Sequence, residues 1–78
     1  MRPAVIDFSK AMERKLVVND HKGGWDERHC SVGYLEDRLI QELGEYFKNR
    51  DVTELPDIAN FCMMIYMRNT GRGDDYLK

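Results

Sequence analysis

Hydrophobic residues recur every three or four positions through three stretches of the chain, the spacing that lines them up on one face of an α-helix. The first stretch follows Asp7, a residue suited to a helix N-cap, and predicts a helix over residues 7–18. Its apolar stripe is formed by Phe8, Met12 and Leu16. The polar residues and paired glycines that follow predict a loop as far as Cys30.

The second stretch predicts a helix over residues 32–48, capped by Ser31. Its hydrophobic positions step by four residues, with two further side chains widening the stripe. They are Leu35, Leu39, Leu43 and Phe47, with Ile40 and Tyr46 beside them. A stripe of this width predicts packing on a neighbouring helix.

The third stretch predicts a helix that begins near Thr53, a candidate cap, and ends near Gly71. Pro56 falls in its first turn, where the missing N–H does little harm. The middle of this helix, residues 58–67, is apolar on almost every side. We therefore expect it to be buried on more than one face.

Together these stretches predict an all-α fold, with about three helices in one domain over residues 1–70 and a flexible tail over residues 71–78. A chain of 78 residues is small. It buries only about 60% of the surface that its unfolded form exposes, so a single core is marginal. We expect oligomerisation to complete the bundle, as a homodimer or a homotetramer.

The balance of positive and negative charges limits the kinds of partner that the chain is expected to bind. Twelve Lys and Arg stand against 14 Asp and Glu, both signs are interspersed, and the net charge is -2. A protein that binds duplex nucleic acid through phosphates usually carries a basic face, so no duplex partner is expected. No apolar run approaches the ~20 residues that span a bilayer, and no signal-peptide pattern is present. With only two cysteines, the chain is expected in the cytoplasm.

Four carboxylates occupy related positions on the second and third predicted helices. Glu42 and Glu45 are three residues apart, and Glu54 and Asp57 repeat that spacing. Both pairs border the apolar faces, so we expect the four side chains to converge between the helices. Buried negative charge needs a counter-ion, and Mg²⁺ binds carboxylate oxygens. Alternatively, these residues are ordinary surface acids stabilised by helix dipoles and neighbouring basic side chains.

These residues also resemble a known family. The segment QELGE (residues 41–45) followed by ELPD (54–57) is similar to the paired motif of the all-α nucleoside triphosphate pyrophosphohydrolases, the MazG-like group. GGWDERH (23–29) resembles the Trp-Asp element that precedes the first motif in that family. NDHKGGW and DIANFCMMI resemble the short members found in phages and prophages, and the likeness extends over residues 8–67.

The resemblance implies hydrolysis of a nucleotide or deoxynucleotide triphosphate between its α and β phosphates, giving a monophosphate and pyrophosphate. It implies that Mg²⁺ is the cofactor. It also implies a set of residues that are both metal ligands and catalytic residues. That set is Glu42, Glu45, Glu54 and Asp57.

Two departures from the family pattern keep a second interpretation open. The first Glu of the family motif is Gln41 here, and only eight residues separate Glu45 from Glu54. An amide cannot accept a proton at neutral pH. The alternative is therefore a catalytically weak relative that binds or sequesters nucleotides, or a helical interaction module.

Further side chains are candidates for contacts with a nucleotide. Trp25 lies in a glycine-flanked loop and can stack on a base or plug the end of the bundle. Lys22 and Arg38 are candidate phosphate ligands, although Arg38 is also placed for an ion pair one turn along its helix. Asn60 follows Asp57 by one turn and can reach substrate or serve as a buried structural amide.

The histidines are not expected to bind zinc. His21 and His29 lie close to Cys30, but the spacing is not that of a zinc site and Cys62 is the only other thiol. No nucleophile triad follows from so few residues.

Overall fold

The structure is a computed structural model, and it describes residues 1–19 and 23–71. Three α-helices form the described chain: α1 (Pro3–Asn19), α2 (Val32–Asn49) and α3 (Leu55–Asn69). A 3-10 turn, Val52–Glu54, connects α2 to α3, and the described residues contain no strand. The predicted all-α fold with about three helices is confirmed. The predicted flexible tail lies outside the described residues from position 72 onward.

Helix α1 begins four residues earlier than predicted. Pro3 is its first residue, and a proline fits there because the first helical turn has no use for the missing N–H. Asp7 therefore lies inside the helix, and its prediction as the N-cap was wrong. No residue of α1 is fully buried; Met12 and Leu16 of the predicted stripe are half-buried, whereas Phe8 is exposed.

Helix α2 begins as predicted. The side-chain oxygen of Ser31 accepts a hydrogen bond from the Tyr34 N–H at 3.0 Å, which caps the helix. Helix α2 ends at Asn49, because the next residue, Arg50, adopts a left-handed backbone conformation with a φ of 55°. The predicted stripe is buried only in part: Leu35 is enclosed, but Phe47 at the last turn is exposed.

The start of α3 differs from the predicted start. Asp51, not Thr53, supplies the cap, because Asp51 Oδ1 accepts hydrogen bonds from the Thr53 N–H at 3.0 Å and the Thr53 hydroxyl at 2.7 Å. This cap opens the 3-10 turn, and α3 itself starts at Leu55 with Pro56 in its first turn, as expected. The helix ends at Asn69, close to the predicted end at Gly71.

Helix α3 lies between the other two helices. It packs against both α1 and α2, while α1 and α2 do not pack on each other. The predicted burial of α3 on more than one face is therefore confirmed within one chain. Because the two outer helices stay apart, an open cleft is left between them, and α3 forms its floor.

The hydrophobic core is small. Among the described residues, only Leu35 and Ile58 are hydrophobic side chains that are fully buried. Large apolar side chains remain exposed on all three helices; they include Val5, Ile6, Phe8, Ile40, Phe47 and Tyr66. In the described part of the chain, no helix has the length and hydrophobicity needed to cross a membrane.

Candidate functional site

The cleft between α1 and α2 has a volume of about 1360 Å³ and collects most of the candidate residues. Helix α1 contributes Glu13 and Leu16, and the segment 23–30 contributes a further wall. The candidate residues that line it are Trp25, Arg38, Glu42, Asp57 and Asn60. The fold thus brings side chains from three helices and one loop around a single space.

Three of the four predicted carboxylates meet in one group. One oxygen of each of Glu42, Glu54 and Asp57 lies within 4.8 Å of the others. Glu42 is two turns from the end of α2, whereas Glu54 and Asp57 lie where α3 begins. The short connection between the helices folds these positions back on each other. This acidic group lies at the edge of the cleft, which Glu42 and Asp57 also line.

Glu42 has the most perturbed environment of the three acids. Its exposure is only 8%, and this burial is the main reason that the pKa of Glu42 is raised above its ordinary value. A hydrogen bond with Glu54 and the negative charges of Glu45 and Glu54 raise the pKa further, while Arg38 opposes them. Burial and the neighbouring acids thus both disfavour the ionised form of Glu42.

Two basic side chains partly neutralise the acidic group. Arg38 Nη2 lies 2.8 Å from Glu42 Oε1, and Lys15 Nζ of α1 lies 3.6 Å from Asp57 Oδ2. Arg38 also donates from Nη1 to Gln41 Oε1 at 2.9 Å. The ion pair considered as the alternative role of Arg38 is therefore formed, although Arg38 also lines the cleft.

Glu45, the fourth predicted ligand, stands apart from the group. Its side chain is exposed, and the oxygens that cluster within 4.8 Å are those of the other three acids. Its charge nevertheless acts on Glu42. Glu45 lies about one turn beyond Glu42 on α2. Its role as a metal ligand stays a prediction.

Asn60 is the most informative polar residue of the cleft. It is 3% exposed, and its Nδ2 donates to the backbone carbonyl of Met12 on α1 at 3.0 Å. Its Oδ1 is buried and has no hydrogen-bond partner among the described residues. Leaving such a group unpaired costs about 1–3 kcal/mol. A buried acceptor is therefore available in the wall of the cleft.

The loop before α2 is held in place by α3. Arg68 Nη1 donates to the carbonyl oxygens of Trp25 at 2.8 Å and Cys30 at 3.0 Å. Trp25 is half-buried and lines the cleft, so it remains a candidate for stacking on a base. Lys22, the other predicted phosphate ligand of this loop, lies outside the described residues.

Sequence reasoning missed a contact between a buried acid and an exposed histidine in the same loop. Asp26 is 3% exposed, and its carboxylate accepts hydrogen bonds from His29 Nδ1 and, at 3.2 Å, from Arg28 Nε. The hydrogen bond from His29 is the main reason that the pKa of Asp26 lies below its ordinary value. The only signal in the sequence was an acid three residues before a histidine. His29 had been considered solely as a zinc ligand.

Comparison with models of known families, with curated proteins and with solved structures finds no match. The likeness to the MazG-like group therefore stays a prediction from the sequence. Within residues 1–19 and 23–71, the acidic group is the one set of side chains placed to hold a metal ion. Function is accordingly inferred from the cleft and the residues that line it.

Proposed function

We propose that this protein is a Mg²⁺-dependent nucleotide pyrophosphohydrolase that cleaves nucleoside or deoxynucleoside triphosphates between the α and β phosphates. The products are a monophosphate and pyrophosphate. Its main support is the meeting of three carboxylates from α2 and α3 at the edge of a cleft. The unpaired acceptor of Asn60 in the same cleft is a second, independent indication of a ligand.

The donor set of the acidic group fits a hard divalent cation. Every candidate ligand atom is a carboxylate oxygen, the type that Mg²⁺ prefers. Glu42, Glu54 and Asp57 would hold the metal, with Glu45 as the fourth ligand that the family resemblance implies. A bound Mg²⁺ would neutralise the triphosphate and lower the pKa of an attacking water.

The remaining cleft residues have roles in binding and orientation. Arg38 and Lys15 balance the acids in the absence of metal, and Arg38 also lines the cleft, where it can meet phosphate oxygens. Trp25 and Phe61 offer aromatic surface to a base. Asn60 Oδ1 accepts a hydrogen bond from a nucleotide donor, and Lys22 remains a predicted phosphate ligand.

The alternative function is nucleotide binding or sequestration with little turnover. Gln41 favours it, since this amide is hydrogen-bonded to Arg38 and cannot act as a general base. A helical interaction module is the remaining alternative. The exposed apolar side chains favour an interaction module, because exposed apolar patches mark surfaces that bind other proteins.

Release of pyrophosphate from a panel of nucleoside and deoxynucleoside triphosphates tests the proposal. We expect release that requires Mg²⁺ and is abolished in Asp57→Asn. Glu36→Gln is the matched control, because Glu36 is an exposed acid of α2 outside the acidic group. Nucleotide binding without release would favour the alternative, and neither binding nor release would exclude both nucleotide functions.

We also propose that the chain acts as a homodimer or homotetramer in the cytoplasm. The small core and the exposed apolar side chains support self-association. On α2, Ile40, Gly44 and Phe47 follow one face, and a Cβ at Gly44 would meet no atom within 4 Å. The two free cysteines fit a reducing compartment.

A further inference from the structure

Neither the proposed metal site nor the packing of the helices accounts for one buried carboxylate that lines the cleft. Asp26 is almost fully enclosed, yet it belongs to a loop and contacts no other carboxylate. A buried carboxylate is costly unless it is paired, and Asp26 is paired with two groups that both line the cleft, Arg28 and His29. Asp26 therefore holds these two side chains in place.

The pairing fixes which atom of His29 is free. Nδ1 of the ring is hydrogen-bonded to Asp26, so Nε2 is the nitrogen left for another partner. The His29 side chain is 51% exposed and lines the cleft. When the ring is protonated, Nε2 carries a hydrogen and can donate it to a ligand in the cleft, because Nδ1 is already held by the buried carboxylate.

The backbone around the pair is also fixed. The N–H groups of His29 and Cys30 both donate to the carbonyl oxygen of Asp26 at 3.0 Å. Arg68 holds the carbonyls at both ends of the turn. The imidazole is thus presented by a turn with internal hydrogen bonds and a connection to α3, not by a free loop.

Two groups at this wall can carry positive charge. Arg28 and His29 both pair with the carboxylate of Asp26. Glu27, which stands between them and Asp26 in the sequence, is exposed and does not line the cleft. Arg28 and His29 are separate from the acidic group of α2 and α3. Other charged groups that line the cleft are Glu13, Arg38, Glu42 and Asp57.

We propose that His29 is a phosphate-contacting residue whose Nε2 donates to a phosphate oxygen of the bound nucleotide, with Asp26 as its positioning residue. The identity of the ligand as a nucleotide rests on the proposed function. A phosphate chain held in this way would lie between Arg28 and His29 on one side and the carboxylates that would hold the cation on the other. A protonated imidazole donates a charge-assisted hydrogen bond to a phosphate oxygen.

Binding of inorganic pyrophosphate without metal tests this contact directly. The titration is done in EDTA at pH 6, below the usual imidazole pKa of about 6.5, and followed by calorimetry and by NMR of the histidine rings. The chain has two histidines, so His29→Gln assigns the ring signals. We expect pyrophosphate to shift the His29 ring signals and His29→Gln to weaken affinity about tenfold.

Two further variants separate position from charge. Lys48→Gln is the control, since it removes a positive charge from an exposed side chain of α2 outside the cleft, and it should leave affinity within about twofold. Asp26→Asn should weaken binding and move the Nδ1–H signal of His29 upfield, because a neutral amide oxygen accepts a weaker hydrogen bond than a carboxylate. Circular dichroism checks that each variant is folded.

An affinity unchanged in His29→Gln would overturn the inference, as would wild-type protein that does not bind pyrophosphate without metal. Neither readout involves turnover. If pyrophosphate binds through His29 but no triphosphate is hydrolysed, the proposed function fails and the contact stands. If hydrolysis is robust and His29→Gln binds like the wild type, only the present inference fails.

Discussion

Lys15 and Asp57 join α1 to α3 through an ion pair, with 3.6 Å between Nζ and Oδ2. On the other side of the acidic group, Arg38 makes the same kind of pair with Glu42. The positive charges of Lys15 and Arg38 therefore balance two of the acids to which the proposed metal would bind. A divalent ion that binds the acidic group therefore has to compete with both basic side chains.

Mg²⁺ is expected to stabilise the fold through the acidic group. A ligand that binds only the folded state raises its stability by an amount that grows with the logarithm of its concentration. In thermal unfolding, we expect millimolar Mg²⁺ to raise the Tm of the wild type by a few degrees and to leave the Tm of Asp57→Asn unchanged. Glu36→Gln should respond like the wild type. An equal response in Asp57→Asn would show that the metal binds elsewhere.

Glu42→Gln should stabilise the metal-free protein at pH 7. The folded state raises the pKa of Glu42, so its ionised form is disfavoured by folding. This cost is absent below the ordinary value of 4.5 and grows as pH rises through the folded-state pKa. We expect a Tm higher by roughly 2–5 °C in EDTA at pH 7. The gain should shrink toward pH 4.5, and a gain that stays constant with pH would refute the electrostatic cause.

Gln41→Glu should raise turnover more than it changes nucleotide affinity. A carboxylate at this position can accept a proton from water, an assistance worth about 10²-fold when it is restored. The new charge would also compete with Glu42 for Arg38, which now donates to Gln41 at 2.9 Å. Steady-state rates and nucleotide binding constants check the prediction. Robust wild-type hydrolysis with no gain in the variant would show that Gln41 is chemically silent.

Self-association is expected to involve the exposed face of α2. Ile40→Glu should shift sedimentation velocity profiles toward the monomer, because it places a charge on an apolar interface. Gly44→Leu offers a sharper comparison: it improves helix propensity but adds bulk where two helices would approach. We expect weaker association with no loss of helicity. A well-folded wild-type monomer at micromolar concentration would contradict the assembly.

Met64 of α3 is not a suitable position for testing assembly. Met64 lines the cleft, so a lysine there would alter the candidate site together with any interface. Tyr66, on the same helix, is exposed and does not line the cleft. Tyr66→Lys therefore reports on a contact made by α3 without disturbing the site.

Local signals explain which parts of the fold were predictable. Helix α2 has a serine cap and an unbroken four-residue repeat, and both act within a few residues of each other. The predicted start of α1 at Asp7 was wrong, because Asp7 is a stronger capping signal than Pro3. A proline at the first position is equally compatible with a helix. Capping by Asp51 in place of Thr53 is a similar competition between neighbours.

Distant contacts explain what sequence reasoning missed. The meeting of Glu42, Glu54 and Asp57 could be predicted from the sequence. It requires only that α2 and α3 pack on each other with their acids at the border of the apolar faces. The free acceptor of Asn60 depends on a carbonyl of α1, 48 residues away along the chain. The conformation that joins Asp26 to His29 depends on Arg68. Neither contact leaves a periodic trace in the sequence.

The double hydrogen bond of Arg68 links the end of α3 to the loop before α2. Arg68 lies in the last turn of α3, yet it holds carbonyls 43 and 38 residues earlier. Helix ends are where local unfolding starts, and such openings proceed in cooperative units. Unwinding one terminal turn would free both carbonyls together, so the loop with Asp26 and His29 would exchange its amide hydrogens at the rate at which α3 frays.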